Sequence, residues 1–244
     1  MWSYIFSMND NPVPQAYREK FNVMWNHFQN GYNPAIYDPE RAAGFEGRKT
    51  SLALAILIKD PEILSQIAEV AEIVRRITDV YVMPPDYYHI TVKWLGFLTD
   101  QKVLECDIEA QTLEQILEQA EQIISRIQAF QVRLGRVNGL ESYIVLEAED
   151  NGTIAQIQGH FHSEATAIPK YPLEGERWLP HMSIAGVKSK RQLEELKEKI
   201  KKIRNTEVGT IEVTHIDLLQ AVLQKPYPHC QILQSFPLAP AVSS

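Results

Sequence analysis

The feature that most constrains the fold is a four-residue pattern that occurs twice. It reads His89-Ile90-Thr91-Val92 and His181-Met182-Ser183-Ile184, with the histidines 92 positions apart. Both have the form histidine, apolar, hydroxyl, apolar. That alternation has the period of a β-strand, whose successive side chains point to opposite faces. Imidazole and hydroxyl therefore share one face, and the apolar pair anchors the other. The surroundings repeat as well. Residues 51–58 read as a strand, apolar from Leu52 to Ile58, and residues 143–149 as a second; Ser51 precedes His89 by 38 positions and Tyr143 precedes His181 by 38. A helix is predicted inside each interval. Behind Pro61, the residues Ile63, Ile67, Val70, Val74 and Ile77 recur at helical spacing over 61–77, and 152–165 is its counterpart.

Further helices are predicted over 112–128, with Leu113, Ile116, Leu117, Ala120 and Ile124 on one face, and over the charged stretch 189–204. Strands are predicted at 88–96, 130–134, 178–187, 208–213, 216–223 and 230–236. A period of about ninety residues is too long for a solenoid. It implies two homologous lobes, each with helices on a mainly antiparallel sheet. The expected class is α+β: a bilobal, duplicated sandwich whose two sheets face a central cleft, with helices outside. The rival, a parallel α/β fold, suits these strands less, because their polar–apolar alternation leaves one face to line a site. The lobes span roughly 51–140 and 141–240, with exchange of strands between them allowed. Residues 1–50 read as an irregular extension, with a short helix over 15–29 and loop over 31–49.

Composition limits the partners. With 45% hydrophobic and 23% charged residues in 244, the chain is an ordinary globular mixture. The longest apolar run, 52–58, is far below the about 20 residues of a membrane span. The start, Met1-Trp2-Ser3-Tyr4-Ile5-Phe6, lacks the basic region of a secretory signal. Cys106 and Cys230 allow one disulfide at most and no metal cluster. A cytoplasmic monomer is expected. The formal net charge of −7 argues against coating duplex nucleic acid. A nucleotide or an RNA end needs only a local polar pocket.

The two motifs suit phosphoester cleavage by in-line attack. One group must take a proton from the nucleophile, and another must give one to the leaving oxygen on the far side. Histidine, with an ordinary pKa near 6.5, does either. The expected catalytic pair is His89 and His181. Thr91 and Ser183 donate hydrogen bonds to phosphate oxygens; Lys93, which strict alternation places on the same face, is either a further substrate contact or a solvated strand lysine. No metal and no cofactor are expected. His160 and His162, two apart on a helix, do not face each other and make no metal pair. Arg48 and Lys49, with Tyr32, Tyr37 and Arg41 nearby, either cover the cleft or belong to a loop packed on the lobes. Tyr87 flanks the cleft, and Tyr88 belongs to the core. No Gly-x-Ser-x-Gly elbow supports an acyl hydrolase.

On these motifs the chain resembles the two-histidine phosphoesterases, which include the RNA 2′,3′-cyclic phosphodiesterases, also called 2′-5′ RNA ligases. The matching stretches are His89-Ile90-Thr91-Val92-Lys93-Trp94-Leu95-Gly96, then Pro180-His181-Met182-Ser183-Ile184-Ala185, then Ile232-Leu233-Gln234-Ser235-Phe236-Pro237-Leu238. The resemblance covers roughly residues 51–240. It implies two lobes around a cleft and a metal-independent phosphodiesterase acting on a cyclic or 2′-5′ nucleotide or RNA linkage, with RNA joining as the reverse reaction in some relatives. It also implies His89 as acid and His181 as base, although the two motifs are nearly symmetric. The alternative is a nucleotide- or RNA-end-binding module with little or no catalysis.

Overall fold

The computed structural model describes residues 13–30, 36–42, 44–76, 80–171, 178–189, 191 and 193–240. The N-terminal hexapeptide, Tyr32, Ile77 and the Arg41 side chain, on which expectations rested, lie outside what is described. Among the described residues ten strands form one curled, almost wholly antiparallel sheet. Its first half has the order β10-β9-β1-β3, with β1 Thr50–Leu57, β3 His89–Leu98, β9 His215–Val222 and β10 His229–Pro237. The second half continues β7-β6-β5-β8, with β5 Phe130–Leu140, β6 Tyr143–Glu149, β7 His181–Val187 and β8 Glu207–Val213. The halves meet where β3 touches β7, and their register contains one pair, Ile90 opposite Met182. The expected α+β duplication is present, with the two sheets joined through that contact. Chain order and sheet neighbourhood part company. Strand β5 follows the first motif yet flanks β6, and β9 follows the second yet flanks β1.

The strands read as the alternation predicts. Ile90, Val92, Met182 and Ile184 are fully buried, together with Leu52, Leu54 and Leu146. Helix α3, Pro61–Arg75, starts where the Asp60 carboxylate accepts from the Glu62 and Ile63 amides and Pro61 presets the first turn. It buries Ile63, Ile67, Val70 and Val74 against the second half-sheet. Helix α4, Ala110–Ile124, and helix α5, Thr153–Glu164, pack on each other, with α5 against β3 and α4 against β10. Helix α6 covers Leu193–Lys202, shorter than the predicted 189–204. Two short strands escaped prediction: β2, Val80–Val82, on the outer edge of β7, and β4, Asp107–Ile108, beside the end of β3.

The N-terminal extension is built into the body. Helix α1, Val13–Asn30, buries Tyr17, Phe21 and Phe28 and lies against β5 and β6. Gly139 on β5 permits this approach, because a Cβ there would sit 2.1 Å from a ring carbon of Phe28. A second helix, α2, is the single turn Pro39–Ala42.

Candidate active site

The two motifs open β3 and β7 and adopt the same local geometry. His89 Nδ1–H donates to the Tyr87 carbonyl at 2.7 Å, and His181 Nδ1–H donates to the Leu179 carbonyl at 2.7 Å. In each case the acceptor lies two residues earlier. This fixes the tautomer and leaves Nε2 for the site. An aromatic ring flanks each imidazole, Tyr87 at 5.3 Å from His89 and Trp178 at 5.9 Å from His181. Both histidines, Thr91 and Ser183 are half-buried. The register of β3 against β7 is antiparallel through Ile90 and Met182. Carried one residue either way, it sets His89 across from Ser183 and Thr91 across from His181.

Burial pushes both imidazoles below their ordinary value. His89 falls to about 4, because its ring is desolvated and because the charge of His181 acts on it, against the pull of the Tyr87 carbonyl. His181 is lowered by desolvation, while the Leu179 carbonyl and Glu141 favour its protonated form. Burial holds the Tyr87 phenol well above its ordinary value, and the neighbouring Tyr143 phenol adds to the shift.

The repeat extends to the irregularities. A bulge at Val92, three residues after His89, breaks the register with β1; one at Ile184, three residues after His181, breaks the register with β6. The bulges also correct two expectations. In register, the counterpart of Tyr143 is Ala53, 36 positions before His89, and not Ser51 at 38. More consequentially, Lys93 pairs with the core residue Leu54 instead of continuing the row of His89 and Thr91. Its stem is buried and its ammonium lies 5.3 Å from the Tyr171 ring. Strict alternation fails here because the bulge adds a residue on β3 with none opposite. Trp94 takes the next site-facing place, and it was not among the predicted site residues.

Along that face the row runs His89, Thr91, Trp94, Phe97, opposite Leu57, Ala55, Ala53 and Ser51 of β1. Ala53 and Ala55 are two residues apart, so Trp94 stands about 7 Å beyond Thr91. There a cavity of about 1040 Å³ begins. The histidines lie outside its walls, which include Trp94, Phe97, Tyr143 and Tyr171, with the carboxylates of Glu105 and Glu141. The strand that carries Tyr143 was predicted; Tyr143 as a cavity residue and the cavity itself were not. Ile36, Tyr37, Asp38 and Phe45 from the extension also line it. Arg48 does not. Its guanidinium is buried in a two-pronged pair with Asp107, which makes it an anchor for the extension and not a phosphate ligand.

A curled antiparallel sheet carrying paired His-x-hydroxyl strands defines a class. The sequence pattern of the 2′-5′ RNA ligase superfamily matches residues 68–224, well over half the chain, and the protein belongs to that superfamily. The fold is shared with TT0787 of Thermus thermophilus, at a TM-score of 0.57 and 18% identity, covering 77% of this chain and 97% of that one. It is shared with apo LigT of E. coli, at a TM-score of 0.56 and 15% identity, covering 79% and 99%. The conserved protein ATU0111 of Agrobacterium tumefaciens matches at a TM-score of 0.54 and 13% identity, over 85% and 97%. Structures of LigT complexed with phosphate and with 3′-AMP share the fold too. No curated protein matches the chain.

Proposed function

We propose that this protein is a metal-independent phosphodiesterase that cleaves a cyclic or 2′-5′ nucleotide or RNA phosphodiester by acid–base catalysis with His89 and His181. The observation that carries the reading is the pair of oriented imidazoles, each with Nδ1 bound to a carbonyl and Nε2 left for the site, close enough for one charge to act on the other. A phosphate between them meets Thr91 and Ser183 as hydrogen-bond donors. Its nucleoside extends toward Trp94 and the aromatic cavity, where a base has rings to stack on. The complexes of LigT with phosphate and 3′-AMP support a phosphate ester as the ligand.

His181 takes the proton of water and His89 protonates the leaving oxygen, as the resemblance implies. The opposite assignment has one observation in its favour, because Glu141 supports a proton on His181 while the charge of His181 opposes one on His89. A 4-nitrophenyl phosphodiester separates them, since that leaving group needs no acid. On a panel of 2′,3′-cyclic mononucleotides, cyclic-phosphate RNA and 2′-5′ oligomers, His89→Ala and His181→Ala each lose about 10²–10⁴-fold in kcat. On the nitrophenyl ester only the variant of the base does. The double variant loses far less than the product of the two, and Thr91→Ala and Ser183→Ala lose less than either histidine. Full turnover by both single histidine variants removes the enzyme reading in favour of the binding module. Turnover also survives EDTA, as expected where imidazoles alone take the proton of water and protonate the leaving oxygen; loss with chelator and recovery with a divalent ion would overturn the mechanism.

A further inference from the structure

We infer that Tyr37, in the N-terminal extension, is a positioning residue that ties the two half-sheets together and sets the gap between His89 and His181. This rests on the phosphodiesterase reading of those histidines. Tyr37 precedes the stretch matched by the superfamily pattern, which starts at residue 68. In the paired registers Gly186 of β7 occupies the place that Trp94 holds on β3, five residues after the motif histidine. In the first half the large residue is Trp94 and its partner is the small Ala53. In the second the partner is the large Tyr143 and the place of Trp94 has no side chain. Tyr37 fills it. A Cβ on Gly186 would lie 2.5 Å from Cγ of Tyr37, so only glycine admits the ring. The ring packs between Tyr81, at 5.7 Å, and Tyr143, at 5.4 Å.

Both ends of Tyr37 are hydrogen-bonded, to opposite halves of the sheet. Its backbone N–H donates to the Val187 carbonyl at the end of β7, at 2.7 Å. Its phenol donates to the Pro226 carbonyl at 2.8 Å, in the turn between β9 and β10. Glu40 and Lys225 form an ion pair beside that second contact. The register between the halves holds a single pair, Ile90 with Met182, at the motifs themselves. Behind the sheet the halves are also held by α3 on β7 and β8 and by α5 on β3, where Gln158 donates to the Val92 carbonyl. Tyr37 adds a tie on the opposite, cavity side, where it opposes opening of the cleft. A phosphate held in line between two imidazoles tolerates little change in their separation, since a misplacement of about 1 Å costs about 10²-fold in rate.

The test uses the full chain with Tyr37→Ala, Tyr37→Phe and Gly186→Ala, each first checked for folding by thermal melting. Tyr37→Ala is expected to lower kcat by about tenfold or more with KM within about threefold. Tyr37→Phe keeps the ring and loses the Pro226 bond, and falls between Ala and the parent. Gly186→Ala expels the ring from the other side and matches Tyr37→Ala. Parting the halves also admits water and separates His89 from His181, so the His89 titration, followed by NMR, moves up toward 6.5 in the same order. If Tyr37→Ala fails to fold, the other two variants decide. A folded variant with the parent's kcat and the parent's His89 titration overturns the inference. So does a raised KM with kcat and titration unchanged, which would make Tyr37 a wall for substrate. If the parent turns over nothing on the panel, the phosphodiesterase reading fails, and the His89 titration still decides whether Tyr37 sets the gap.

Discussion

Each imidazole enters the site with Nδ1 committed to a carbonyl and with burial opposing its charge. The consequence is a pH dependence that the sequence does not contain. His89, at about 4, is neutral at pH 7 in the free protein, and His181 is shifted in the same direction. Acid–base catalysis needs one of the pair protonated. The charge of a bound phosphodiester favours that proton, raising the affinity of the imidazoles for it. The profile of kcat/KM, which reports the free protein, should therefore lie on the acid side of the kcat profile, which reports the complex. By NMR, His89 should titrate near 4 in the free protein and rise in His181→Ala, where the neighbouring charge is gone. Titration near 6.5 in both proteins would sink this account. The sign for stability follows from the same shift. The folded pKa of His89 lies below the unfolded value near 6.5, so the unfolded chain binds more protons between about 4 and 6.5. This contribution makes the fold less stable as pH falls through that window.

Among the elements, the segment that leads into β1 depends on one buried pair. Arg48 reaches Asp107 with both prongs of its guanidinium, and Asp107 also accepts from the Val103 and Leu104 amides. The Asp107 side chain is fully buried. The Arg48 guanidinium and these amides hold its carboxyl well below the usual carboxylate range. Removing one partner of such a pair strands the other. Asp107→Ala and Arg48→Ala should each lower the urea midpoint of unfolding; an unchanged midpoint in both would show the pair to be dispensable. Because the folded pKa is depressed, this contribution is complete above about pH 4 and drains away as pH falls below it. Both residues stand in the sequence without any local sign of the pairing, which spans 59 positions. Long, periodic elements such as α3 and β3 were legible for the opposite reason, since their pattern is local. The two-residue β4 that carries Asp107 has no room for a period.

For the whole molecule, the decisive information was the repeat. Two copies of one local pattern, spaced alike behind matching strands, imply two lobes and a shared face before any contact is known. What the repeat left hidden depends on long-range register. The bulge at Val92 pairs Lys93 with the core residue Leu54 and puts Trp94 in the row of Thr91, and the extension places Tyr37 where the duplication lacks a side chain. Charge operates at this scale too. The chain carries 24 basic and 31 acidic residues, and Asp38, Glu105 and Glu141 line the cavity beyond the motifs. A protein that grips RNA through six to ten phosphates loses about 10³–10⁵ in affinity between 50 and 200 mM salt, as counterions reclaim each phosphate. On the proposed function, recognition centres on one phosphate and one nucleoside. The expected change in KM for an RNA with a cyclic-phosphate end is therefore less than about tenfold over that range, close to the change for a 2′,3′-cyclic mononucleotide. Repulsion between an acidic surface and the rest of an RNA strand is screened by salt, so any difference between the two substrates should favour RNA as salt rises. A steep loss of RNA turnover with salt, with the mononucleotide unaffected, would instead reveal a cationic track and refute the single-phosphate view of this cleft.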